Sequence, residues 1–124
     1  MLYGGDLSGD NSGTLNYVII QNAGGVLEGN ISTDEPVSAL GLMGVGNNTT
    51  ISYVEITDSG DDCLEVRGGT VNVDHIVVSN CLDDLLDFDE GYNGQASYLL
   101  GFNPGENSHG IEVGGNEFDT PTQP

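Results

Sequence analysis

Short β-branched runs with apolar residues at matching places recur along the chain: LNYVIIQN at 15–22, ISYVEITD at 51–58, VDHIVVSN at 73–80 and SYLL at 97–100. The segments ISYVEITDSGDDCLEV (51–66) and VDHIVVSNCLDDLLDF (73–88) superimpose without a gap at an offset of 22 residues. Val54 then falls on Ile76, Ile56 on Val78, Asp58 on Asn80 and Leu64 on Leu86. A fixed period of this length marks a solenoid, because one such unit cannot bury its apolar faces alone. Stacked windings bury them as columns and pair each strand with those above and below. The pattern predicts an all-β fold, a right-handed single-stranded parallel β-helix of about four to five coils with about 22 residues per coil.

At that period the first wall has the columns Val18, Val54, Ile76, Tyr98 and Ile20, Ile56, Val78, Leu100. The second wall has Leu40, Leu64, Leu86, Ile111 with Leu42, Val66, Phe88, Val113. Insertions around Glu28–Val37 and Asn103–Asn107 absorb the longer first and last offsets as loops. A polar corner, Asn22, Asp58 and Asn80, offers side chains that satisfy turn backbone groups. His75 aligns with Tyr17, Tyr53 and Ser97 at a strand entrance and reads as a structural position. The solenoid is expected over residues 1–115, with a disordered tail over 116–124.

Charge narrows the partners. Twenty acidic residues stand against one base, Arg67, for a formal net charge of −19. A polyanion is repelled and finds no basic patch, so nucleic acid is excluded, and anionic membrane is disfavoured. No apolar run reaches the length of a membrane span, and the start lacks the pattern of a signal peptide. Cys63 and Cys81 occupy different corners at the 22-residue register, so they are expected as free thiols. Ile19, Val77 and Leu99 form an outer aliphatic strip interrupted by Glu55. That strip and the unpaired coil ends predict a homo-oligomer.

The acidic residues carry the candidate chemistry. The register sets Asp61 over Asp83, Asp62 over Asp84 and Glu65 over Asp87, about one strand spacing apart. Stacked like charges destabilise unless they are solvated, protonated or bridged by a hard cation such as Ca2+. Candidate ligands are Asp62, Asp84, Glu65, Asp87, Asp89 and Glu90. Candidate catalytic groups are Asp61, Asp62, Asp83, Asp84 and His109, since paired carboxyls also hydrolyse glycosides. Arg67 is expected to pair with Asp89 one coil above. Tyr92, Tyr98 and Phe102 are the aromatic residues expected near these acids for a glycan to stack on.

The ordered blocks LYGG (2–5), DNSGTLNYVIIQNAGG (10–25), LGLMGVGNNTTISYVEI (40–56), DDCLEVRGGTVNV (61–73), DDLLDFDEGYNG (83–94) and SHGIEVGG (108–115) resemble a family of bacterial secreted and envelope proteins. Members of this family share a pectate-lyase-like parallel β-helix and have no assigned function. The family's members are usually longer and exported, so the resemblance implies a segment of such a protein and a secreted or envelope location. A second likeness is to pectin-degrading β-helix hydrolases, in Gly60-Asp61-Asp62-Cys63 and His109-Gly110. Here those two runs lie about two coils apart, where the hydrolases have about one. The functional expectation is a non-catalytic surface or interaction module, possible calcium stabilisation included, with a carbohydrate-active module as the alternative.

Overall fold

The computed structural model describes residues 7–26, 36–105 and 109–115. Among the described residues, eight strands fall into two sheets in strict alternation along the chain. Strands β1 (Thr14–Gln21), β3 (Thr50–Ser59), β5 (Asn72–Cys81) and β7 (Ala96–Phe102) form one. Strands β2 (Leu40–Met43), β4 (Leu64–Arg67), β6 (Leu86–Asp89) and β8 (Glu112–Val113) form the other. Every strand pair in both sheets is parallel. This is a β-solenoid of about 3 turns at about 23 residues per turn. The expected four to five coils exceed this slightly, because β8 is only two residues long and the last winding is incomplete. The sequence-predicted tail at 116–124 and the LYGG block lie outside the described residues.

The repeat fixes the register where it is unbroken. Val54 pairs in register with Ile76, Ile56 with Val78, Leu64 with Leu86 and Val66 with Phe88. These inward side chains form the core, with Val54 and Ile76 each only 1% exposed. Burial of a Val or Ile of this kind contributes about 1.5–3 kcal/mol. The columns thin at the ends: Val113 follows Phe88 in register yet stays exposed.

The last step of the first sheet departs from 22. Ile76 pairs with Leu99 and Val78 with Gly101, so Leu99 takes the core position expected for Tyr98, and Gly101 that expected for Leu100. The extra residue lies in the corner between β6 and β7. Tyr92 is folded inward there, its ring stacked on Phe88 at 5.3 Å and its hydroxyl donating to Val71 O at 2.9 Å. Accommodating that ring lengthens the corner by one position.

The polar corner forms as expected. Asn22, Asp58 and Asn80 all adopt left-handed backbone, and Asn80 Nδ2 donates to Asp58 Oδ1 at 2.6 Å. At the opposite corner Gly69 has φ +77, and a Cβ there would meet Val45 O at 2.5 Å, so only glycine fits.

The cysteines form a disulfide, contrary to the expected free thiols. The register survives it. Cys81 lies beside Ser59, as the repeat requires, and the Ser59–Asp62 turn is closed by Ser59 Oγ donating to Asp62 O at 2.7 Å. That tight turn returns Cys63 to the end of β5, with a Cα–Cα distance of 5.5 Å to Cys81. Alignment partners occupy equal corners, but a cross-link between adjacent coils needs only neighbouring ones.

Candidate functional site

The strands of the second sheet set alternate side chains outward, and on β4, β6 and β8 these include the acids Glu65, Asp87 and Glu112. Glu65 and Asp87 are in register on β4 and β6. Asp62 and Asp84 precede those strands one coil apart, and the Asp84 N–H donates to Asp62 Oδ1 at 2.9 Å. Together with Asp61, Asp83 and Glu112 they line a cleft of about 260 Å3, with Pro36 and Arg67 at its sides. The sequence-predicted stacking of Asp61 on Asp83, Asp62 on Asp84 and Glu65 on Asp87 is therefore what brings the cleft together.

Its innermost members are buried acids. Asp62, Glu65 and Asp87 are each below 10% exposed and offer carboxylate oxygens within 4.8 Å of one another. Glu65 is well held: Ser38 Oγ donates to its Oε2 at 2.7 Å, and Arg67 Nε pairs with its Oε1. Arg67 forms an ion pair with Glu65 on its own strand, and Asp89, the partner expected from the repeat, lies in register with Arg67 one coil above. Two residues apart on one strand, the Arg67 and Glu65 side chains face the same way. Among the described residues Asp87 Oδ1 has no hydrogen-bond partner, although the residue is only 8% exposed. Burial, reinforced by Asp89, Asp62 and Glu65, pushes the Asp87 carboxyl up to about 7. Burial acts likewise on Asp62, also up to about 7, with Asp61 and Glu65 adding to it. Asp61 is raised as well, again chiefly by burial.

A second group sits at the cleft's upper end. The His109 backbone N–H donates to Asp84 Oδ1 at 2.8 Å, and His109 Nδ1 lies 3.1 Å from the same oxygen and 3.4 Å from Glu112 Oε2. Asp84, His109 and Glu112 thereby form a further set able to hold a metal, as do Asp61, Asp62 and Asp83. Glu112 and Ser38 were not foreseen, because each follows a chain insertion that breaks the repeat. Asp89 and Glu90, expected as ligands, do not line the cleft. They end β6 and enter the next corner, where Glu90 takes left-handed backbone.

Aromatic rings lie elsewhere. Tyr92 is committed to Phe88, and Tyr98 belongs to the first sheet. His75 stacks between Tyr53 and Tyr98, whereas Ser97 had been expected at Tyr98's place; the centroid distances are 4.4 and 4.5 Å. Tyr17 extends the stack below Tyr53 at 4.8 Å.

The chemistry available at the acidic cleft is that of hard oxygen donors around partly desolvated negative charge, fit to bind a hard cation or to keep a carboxyl protonated near neutrality. No curated protein and no solved structure matches the chain significantly. The family model of the pectate-lyase-like beta helix domain matches residues 1–124. With alternating parallel strands, stacked columns and corner ladders all in place, the chain belongs to the pectate-lyase-like β-helix family.

Proposed function

We propose that this domain is a non-catalytic surface or interaction module whose acidic cleft binds a hard divalent cation, calcium, and is stabilised by it. The observation that carries this reading is buried Asp87, whose Oδ1 has no hydrogen-bond partner among the described residues and which offers a carboxylate oxygen within 4.8 Å of oxygens of Asp62 and Glu65. An orphaned, desolvated carboxylate oxygen among like charges is the donor a hard cation would complete. Asp62, Glu65 and Asp87 would hold the ion, with Asp84 and Glu112 at the edge of the same cleft. The Cys63–Cys81 disulfide supports an oxidising, secreted or envelope location.

Thermal melting of the chain with calcium and with a chelator tests this. Calcium is expected to raise the midpoint, and Asp87→Asn to remove that response while leaving the fold intact by circular dichroism. An unchanged wild-type midpoint would overturn the reading.

A carbohydrate-active cleft is the second reading, favoured by the same raised carboxyls. A carboxyl that stays protonated near pH 7 is a proton donor to a glycosidic oxygen. It predicts new reducing ends from an acidic or neutral polysaccharide, abolished by Asp62→Asn.

A further inference from the structure

The outer face of the first sheet carries a different construction, remote in chemistry from the acidic cleft. In each of its four strands an aromatic residue adopts left-handed backbone: Tyr17, Tyr53, His75 and Tyr98, with φ between 52 and 55°. Such φ values are outliers for bulky residues. Each acts as a bulge: Ser52 and Tyr53 both avoid the core, and buried Val54 follows. The four bulges stand in line, so their rings form one continuous stack.

Because ring faces cover one another inside the stack, the ladder presents ring edges and hydroxyls to its side. Two residues further along each strand a parallel row runs beside it. Ile19, Glu55 and Val77 are in register there, with Leu100 completing it. Leu100, not Leu99 as the sequence suggested, is therefore the outer residue of this row, a consequence of the one-residue lengthening before β7. Between the two rows lies an apolar groove of about 450 Å3, floored by the Val18 and Val54 backbone. Ile19 is 68% exposed and Leu100 63%. Exposed apolar surface spread over four strands, with one charge set in it, marks an interface.

The groove's chemistry selects its occupant. It runs across the strands, and four strands at about 4.8 Å spacing span about 14 Å, the length of about four extended residues. Glu55 is the one carboxylate in its lining, set among aliphatic neighbours. His75 in the opposite wall is already engaged, its Nδ1 2.7 Å from Asp74 Oδ2. A second copy would bring another −19 charge to this face, whereas a basic group would be drawn by both Glu55 and the whole-chain field. Stacked ring faces are not on offer along the groove, which disfavours the flat face of a sugar.

We infer that this groove binds an extended peptide segment of a partner protein, about four residues long, with a Lys or Arg that meets Glu55 between apolar residues lying against Ile19, Val77 and the ring edges.

Isothermal titration of the full chain with the capped tetrapeptide Val-Lys-Val-Leu tests this, with Val-Glu-Val-Leu as the control. Saturable binding of the first peptide only, weakened about ten-fold or more by Glu55→Gln, is the expected result, since a hydrogen bond to a charged group has that worth. Val77→Asp, on the surface of the same row, should also abolish binding. Equal binding of the glutamate peptide, insensitivity to Glu55→Gln, or no binding of the lysine peptide would overturn the proposal. Light scattering that shows a dimer dissolved by Val77→Asp would overturn it in favour of a second copy on this face.

Discussion

The two outer faces of the solenoid obey one geometric rule with opposite energetic results. Winding the chain places equivalent residues one above another at strand spacing. On the first sheet the repeated residue is aromatic, and stacking is attractive: three ring pairs at 4.4–4.8 Å are each worth about 0.5–1.5 kcal/mol beyond area burial. On the second sheet the repeated residue is a carboxylate, and burial first, with the repulsion of neighbouring acids added to it, leaves Asp62 and Asp87 with pKa values of about 7. A ladder of rings satisfies itself. A ladder of acids stays in deficit until a proton or a cation enters it, so the second sheet is the one whose stability depends on solution conditions.

The tie between the two faces is the largest single lever. Cys63 lies just before β4 of the acidic sheet and Cys81 at the end of β5 of the aromatic one. Closing an 18-residue separation should contribute about 3 kcal/mol. Cys63→Ala with Cys81→Ala is therefore expected to lower the melting midpoint by roughly ten degrees. A loss no larger than that of a surface substitution would mean that the core columns alone hold the two sheets in register.

Next in size is the cation. At a hundred-fold excess over its Kd a ligand specific to the folded state adds about 2.7 kcal/mol. Without it, the sign of the pH dependence follows from the raised carboxyls. Asp62 and Asp87 titrate near 3.8 when unfolded and at about 7 when folded, so the folded state retains protons that the unfolded state has released. Their contribution is fully present below pH 3.8 and is lost as pH rises through about 7. In chelator, the midpoint should thus decline between those limits, and calcium should flatten the decline by favouring the ionised carboxyls. Asp87→Asn should flatten it too, and make the metal-free protein more stable at pH 8 than wild type. A midpoint that rises with pH across this window would refute the buried-acid account.

Much of this was legible in the chain, for reasons particular residues make plain. Val54 and Ile76 or Glu65 and Asp87 belong to an unbroken 22-residue repeat, so their neighbours in space follow from arithmetic on the sequence. The acidic cleft was readable for the same reason, as a property of the period. What was hidden depends on corners. Tyr92 folding inward shifted Leu99 into the core and moved Tyr98 onto the ring stack. The Ser59–Asp62 turn brought Cys63 to Cys81. Left-handed backbone at Tyr17, Tyr53, His75 and Tyr98 had no local signal, since neither tyrosine nor histidine announces it as glycine does. Only their recurrence at one repeat position marked the site, and the shift at Tyr98 concealed the last member.

A substitution within the ring stack has the next smaller effect. Tyr53 contacts rings on both sides, so Tyr53→Ala should cost about 2 kcal/mol through two lost pairs. Tyr53→His, which His75 shows the position accepts, should restore most of it. Equal losses from Ala and His would mean that the stack records the bulge geometry and adds no stability of its own.

The smallest effect comes from an acid in a polar corner, and it sharpens the contrast most. Asp58 stacks against Asn80 and Gln21, and their side-chain amides donate to its two oxygens at 2.6 and 3.2 Å. Those hydrogen bonds, Asn80 first and Gln21 next, hold its pKa below the usual 3.8. The sign is the reverse of the cleft: this contribution is present above pH 3.8 and disappears as pH falls through the lowered value. Asn80→Ala should return the Asp58 titration, followed by NMR at its carboxyl carbon, toward 3.8, while the cleft carboxyls keep theirs. The same aspartate side chain is thus drawn down where an exposed corner offers it amides and pushed up where it is buried among other acids. If Asp58 and Asp87 instead moved together in this variant, whole-molecule charge would set both, and the local surroundings of each would not.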